Sequence, residues 1–189
     1  MSEAANKTEK FTHTPRVAYF SMEIAMESDI PTYSGGLGVL AGDTLRAAAD
    51  IGVPMVAVTL VSRSGYFRQE IGPQGRQIEH ADDWDPARYA TRLQATVALD
   101  LEDRQVWVGG WLYELSSRVD GLVPVLLLDT DLPVNDPRDR DITHYLYGGP
   151  GSGGSPGVGR RLAVCTEFQN QWRRARPAAG HRPAGERPA

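Results

Sequence analysis

Apolar positions change their spacing twice within the first third of the chain. "RVAYFS" (Arg16 to Ser21) is rich in β-branched and aromatic residues and predicts a short first strand. The stretch that follows, "MEIAMESDIPTY", is polar and carries Pro31, which predicts a surface loop rather than a helix. From Leu37 the period lengthens: Leu37, Leu40, Ala41, Leu45, Ala48 and Ala49 recur at spacings of three and four, with Asp43, Arg46 and Asp50 between them. That spacing predicts an amphipathic helix, ended at Gly52. "PMVAVTLV" (Pro54 to Val61) is then apolar almost without a break, as in a parallel strand covered on both faces. Strand, loop, helix and strand make a βαβ unit, so the fold class expected is α/β, an open sheet with a right-handed crossover.

Downstream the pattern is mostly strand. Gln94–Leu101, Gln105–Leu115 and Leu122–Asp129 are three candidates separated by the charged turns "EDR" and "VDG". The first two are close enough to pair as a hairpin, and the third, apolar throughout, belongs in a sheet interior. "TDLPVNDPRDRDITHYLYGG" opens as a Pro and Asp loop and starts a helix at Asp136 or Pro137. No internal repeat is visible.

Composition divides the chain. Of 189 residues 41% are hydrophobic, enough for the core of one domain or half of a larger protein, and the net charge is −4. Residues 1–149 carry 13 Lys and Arg against 22 Asp and Glu, a balance of −9, whereas residues 150–189 carry 7 against 2, or +5. The acidic sign argues against a nucleic-acid binder. No run of 18 apolar residues and no apolar signal core occur, so the reading is a cytoplasmic protein without a membrane span. The single cysteine, Cys165, excludes an internal disulfide and fits a reducing compartment. In the last 40 residues 25 are Gly, Pro, Arg or Ala, with no apolar period, which predicts disorder. GC-rich codons read out of frame yield these residue types, so a frameshift near Gly149 is expected. The division is a flexible head (1–15), a partial Rossmann-like domain (16–149) and a disordered tail (150–189).

Between the first strand and the helix stand three glycines in four positions, Gly35, Gly36 and Gly38. A glycine-rich turn opening a helix gathers free N–H groups at the positive end of a dipole, which suits a phosphate or a sugar hydroxyl. "GLGVLA" satisfies the GxGxxG/A form of the dinucleotide fingerprint, but about a dozen residues separate it from the strand. The second strand ends in "SRSG", with no acid for a ribose, so that template fails. The structural alternative is that the glycines let the helix pack closely.

The flanks carry a resemblance. "YFSMEI", "GGLGVLAGD" and "GYFRQ", within Val17 to Ile71, and less tightly "DLPVNDPRDRDITHYLYGG", resemble the amino-terminal part of the α-glucan (glycogen, starch or maltodextrin) phosphorylases. The likeness is tightest to the short bacterial and archaeal type and extends from Val17 to Gly149. It implies an incomplete amino-terminal half of a two-lobed GT-B fold. It also implies transfer of a glucosyl unit from an α-1,4-glucan to inorganic phosphate, and pyridoxal 5'-phosphate bound to a lysine of the other half. Carried over by motif, Gly35, Gly36, Leu37 and Gly38 form the substrate- and phosphate-binding loop, while Tyr66, Phe67 and Gln69 are candidate cleft wall. Tyr19, Phe20 and Glu23 read as packing at the first strand. Glu27 and Asp29 sit on a solvated loop, with nothing to fix the separation a hydrolase needs. His13, His80, His144 and His181 have no metal spacing.

The only lysines, Lys7 and Lys10, precede the first strand, so the cofactor lysine is absent and no catalytic residue is assigned to this chain. The expectation is a fragment inactive alone, its oligomeric state open, with missing strands and an exposed apolar edge such as "VPVLLLD". Two other readings stand. One is the amino-terminal half of a nucleotide-sugar glucan synthase, which typically has a lysine just before the glycines where this chain has Thr32, Tyr33 and Ser34. The other is a non-catalytic glucan-binding module using Trp84, Trp107 and Trp111 as stacking platforms.

Overall fold

The computed structural model describes residues 15–119, 121–147 and 157–175. The βαβ unit forms as its pattern dictates: β1 (Val17–Phe20) and β2 (Met55–Leu60) are parallel neighbours joined through α1 (Gly36–Asp50). α1 ends at Gly52, whose φ of +67° is in the left-handed region, and the N–H groups of Gly52 and Val53 return to the carbonyls of Ala49 and Ala48.

An exposed two-stranded hairpin, β3 (Arg68–Ile71) and β4 (Gln77–His80), follows β2. After it come the short β5 (Thr91–Arg92), then β6 (Val97–Leu101), β7 (Arg104–Ser116) and β8 (Leu122–Asp129). The main sheet has the order β1-β2-β8-β7-β5, with β6 also on β7. β1, β2 and β8 are parallel, and β7 runs antiparallel to β8, β5 and β6. A one-turn helix, α2 (Pro137–Arg140), capped by the Asp136 carboxylate, and the 19-residue α3 (Gly157–Ala175) close the described chain.

Because side chains alternate across a strand, the continuous apolar runs of β2 and β8 feed two cores. Ala57, Val61, Val123, Val125 and Leu127 meet Ala41, Leu45, Ala48 and Ala49 of α1. Val58, Leu60 and Leu128 meet Leu99, Val106 and Val108 together with Val164 and Cys165 of α3. "VPVLLLD" is therefore not an apolar edge: β8 lies between β2 and β7 in the middle of the sheet. The hairpin β3–β4 and the two-residue β5 escape the pattern because they have no buried face long enough to show a period.

Two further expectations change. Leu37 and Leu40, read as part of the buried stripe, are 76% and 62% exposed. The stripe that packs is Gly38, Ala41, Gly42, Leu45, Ala48 and Ala49, so α1 turns small residues inward over its first two turns. The tail, read as disordered, forms α3 over Gly157–Ala175. Arg161, Val164 and Cys165 are buried and Phe168 is half-buried, an i, i+3, i+4, i+7 stripe whose first member is a cation that hides it from a hydrophobicity scan. The remainder of that tail and residues 1–14 of the head lie outside the described residues.

Candidate functional site

The carboxyl ends of β1, β2 and β8 converge on the loops that carry the candidate residues, the place where open α/β sheets expose backbone to ligands. Gly35 is the N-cap of α1, and no side chain caps the helix or places an acid in its first turn. Just before it the Ser34 N–H donates to Glu23 Oε2 at 3.0 Å, and Glu23 is buried after β1. Reading Glu23 as packing missed this: it is a carboxylate that fixes the glycine segment from eleven residues away.

The glycines divide by what surrounds them. A Cβ on Gly38 would run into the Tyr33 side chain, and one on Gly42 into the Ala25 carbonyl. Both positions are glycine for packing: the Ala25 N–H donates to the Gly38 carbonyl at 2.9 Å, and the Arg46 guanidinium ties the Ala25 and Met26 carbonyls to the helix. Gly35 and Gly36 are different. A Cβ on either meets nothing within 4 Å, and the φ of Gly35, 163°, is extended backbone open to any residue. Neither strain nor packing within the described chain requires glycine there. Leu37 is exposed beside them.

Tyr66 and Phe67 lie in the loop between β2 and β3, and Gln69 is exposed in β3 opposite Glu79. At Gly65 the loop packs against Pro31, where a Cβ would stand 2.6 Å from Pro31 Cβ. It starts at Ser62, whose φ of +42° places a non-glycine residue in the left-handed region at the end of β2. The Ser62 carbonyl accepts from Trp84 Nε1 at 2.7 Å, and its hydroxyl accepts from Arg161 Nη2 at 2.8 Å.

Asp129, at the end of β8, is the anchor the sequence reading missed. It is fully buried, and its Oδ2 takes Arg63 Nη2 at 2.7 Å, Arg92 Nη1 at 2.8 Å and Trp111 Nε1 at 2.8 Å. Oδ1 accepts the Asp131 N–H at 2.9 Å. A carboxylate with charge-assisted partners on both oxygens joins the β2 loop, β5, β7 and the β8 loop. The Arg92 and Arg63 guanidinium carbons stand 4.9 and 5.8 Å from the Trp111 ring centroid. Trp111 is therefore engaged by two cations, and Trp84 is held by its indole N–H; of the three tryptophans only Trp107 is left exposed. The signal available in the sequence was one acid ending an otherwise apolar run.

Among the described residues Arg161 is a buried cation with one hydrogen-bond partner: it is 2% exposed, its Nε and Nη1 have no hydrogen-bond partner, and burial lowers its pKa to about 10 against the opposing pull of Cys165 and Glu23. Glu27 does not stand as half of an acid–base pair: its Oε1 accepts from Tyr113 O–H at 3.1 Å, and burial together with the Glu27 charge raises the phenol pKa, while Asp29 meets Ser28. Among the described residues no three His, Cys, Asp or Glu side chains form a metal-binding group, and no helix is long and apolar enough to cross a membrane.

Curated relatives match this chain over most of its length. A maltodextrin phosphorylase from Thermococcus litoralis is 39% identical over 138 residues, 69% of this chain and 16% of its own length. A glycogen phosphorylase from Mycobacterium tuberculosis is 42% identical over 141 residues, 70% of this chain and 16% of its own. The matched part of the chain is an α-glucan phosphorylase segment. A protein of Methanocaldococcus jannaschii described only as uncharacterized is 36% identical over 131 residues. No protein-family model matches. The chain spans about a sixth of the length of these phosphorylase relatives.

Proposed function

We propose that this segment supplies one wall of a glucan- and phosphate-binding cleft for α-1,4-glucan phosphorolysis, within the incomplete first half of a GT-B fold in the cytoplasm. The observation that carries it is the contrast among the glycines. Gly38 and Gly42 are explained by the Tyr33 and Ala25 contacts, whereas Gly35 and Gly36 have open space around them at an uncapped helix N-terminus. Glycine without an internal reason, where N–H groups gather, suits the close approach of a sugar hydroxyl or phosphate oxygen. The relatives' names, glycogen and maltodextrin phosphorylase, agree with those two ligands.

The chain's own residues bind and orient. Glu23 fixes the start of the glycine segment, Asp129 fixes the loop carrying Tyr66 and Phe67, and the first N–H groups of α1 offer donors. Pyridoxal 5'-phosphate, held by a lysine in the family the chain resembles, finds no lysine among the described residues. The described residues thus do not fit the cofactor by themselves. Among the described residues no acid or base is positioned beside the glycine segment for proton transfer, so activity is expected only when a second half faces this wall.

The test is a chimera in which residues 16–147 replace the matching part of the Mycobacterium tuberculosis glycogen phosphorylase. The chimera should release glucose 1-phosphate from maltodextrin, and the 189-residue chain should not. A folded chimera without activity, or activity from the 189-residue chain, would overturn the reading.

A further inference from the structure

The arginines of this fold divide by what faces them. Arg63, Arg92, Arg104 and Arg140 each hold an aspartate oxygen at between 2.6 and 2.8 Å, and each keeps at least 22% of its side chain exposed. Arg161 has neither advantage. It is 2% exposed, and its bond among the described residues runs from Nη2 to the Ser62 hydroxyl at 2.8 Å, while Nε and Nη1 are buried without an acceptor. Ser62 is 0% exposed, and because its oxygen accepts the arginine bond, its O–H remains a further donor. One bonded unit in the interior thus offers three donors.

Its surroundings supply little to answer them. α3 turns Val164 and Cys165 inward beside Arg161, where they pack with Val58 and Leu60 of β2 and with Phe20 and Met22. These walls are apolar or, in the thiol, a weak donor. Glu23 is the carboxylate whose charge reaches Arg161, but its Oε2 already accepts the Ser34 N–H at 3.0 Å, and it makes no ion pair with the guanidinium among the described residues. A guanidinium keeps its proton at neutral pH, and an unpaired charge held away from water is costly.

We propose that Arg161 and Ser62 bind one small monovalent anion, of the size of chloride or bromide, between α3 and the end of β2. The site is distinct from the glycine loop and does not rest on the phosphorylase reading. Donors without acceptors select an anion, and a single positive charge is balanced by a single negative one. Water would accept the hydrogen bonds but leave the charge unmatched. Phosphate carries more charge and more oxygens than one cation and three donors satisfy, and apolar walls disfavour so strongly hydrated an ion.

The test is equilibrium dialysis of the full 189-residue chain against radiolabelled chloride in gluconate buffer at neutral pH. One chloride per chain should bind saturably; bromide should displace it, and phosphate at equal ionic strength should not. Arg161→Met, which exchanges the cation for an apolar side chain, should lower the affinity about tenfold or more, whereas Arg173→Met, at an exposed position of the same helix, should leave it unchanged. Ser62→Ala should weaken binding about fivefold and serves as the second variant if circular dichroism shows Arg161→Met unfolded. Replacing gluconate by chloride should also raise the thermal midpoint of the unaltered chain and leave that of folded Arg161→Met in place, since an ion bound to the folded state stabilises it. Absence of saturable chloride binding, or equal affinity in folded Arg161→Met or Ser62→Ala, overturns the site and assigns the free donors to water. Displacement by phosphate, or an equal loss in Arg173→Met, overturns it in favour of general binding to surface cations.

Discussion

At the scale of single residues, identical amino acids do different work within eight positions. Gly38 and Gly42 sit where a methyl group would strike Tyr33 and the Ala25 carbonyl, so Gly42→Ala should lower the thermal midpoint by about 4–8 °C, as overpacking against fixed backbone does. Gly36→Ala has open space and a helical position, so its midpoint should hold or rise by about 2–4 °C. In the active chimera, however, Gly36→Ala should weaken phosphate or glucan binding. Melting curves and initial rates together check the pair, and a destabilised Gly36→Ala would return that glycine to a packing role. The sequence showed a glycine cluster and its position before a helix. It could not show which glycines touch protein, because those contacts come from Tyr33 and Ala25 folding back over α1. Asp129 was hidden for a similar reason: its partners Arg63, Arg92 and Trp111 come from three other elements.

At the scale of elements, α1 and β2 were legible because each repeats a period long enough to read. α3 was not, because the composition of the tail is poor in apolar residues and Arg161 occupies a position on its buried stripe. Its other buried member with titratable chemistry is Cys165, whose thiol pKa is pushed up to about 11, chiefly by burial. The folded state holds that proton more tightly than the unfolded chain, whose ordinary value is 9.0. The contribution to stability is therefore fully present below pH 9 and declines as pH rises from about 9 towards 11. Iodoacetamide labelling of the native chain should stay slow at pH 9 and accelerate only near pH 11, whereas the urea-unfolded chain should label readily at pH 9. Fast native labelling at pH 9 would show that α3 does not cover the sheet.

At the scale of the whole molecule, one sheet serves two cores, with α1 on one face and α3 on the other. Ending the chain after residue 147 should therefore uncover Val58, Leu60, Val106 and Val108, raise binding of an apolar fluorescent dye and lower the thermal midpoint. An unchanged midpoint would mean that α3 contributes nothing to that face. The periodic spacing of apolar residues determined the βαβ opening and the β6–β7 hairpin, because those patterns depend only on neighbours along the chain, whereas β8 was legible as a strand but not as the middle of the sheet. The motifs around Tyr19, Gly36 and Tyr66 determined the phosphorylase resemblance. Tertiary structure decided the rest: which glycines stay open, that Asp129 gathers two arginines and a tryptophan, that α3 packs onto the sheet, and that Tyr66 and Tyr147 meet. Each depends on contacts between residues far apart in sequence, and chain order alone does not encode a distance in space.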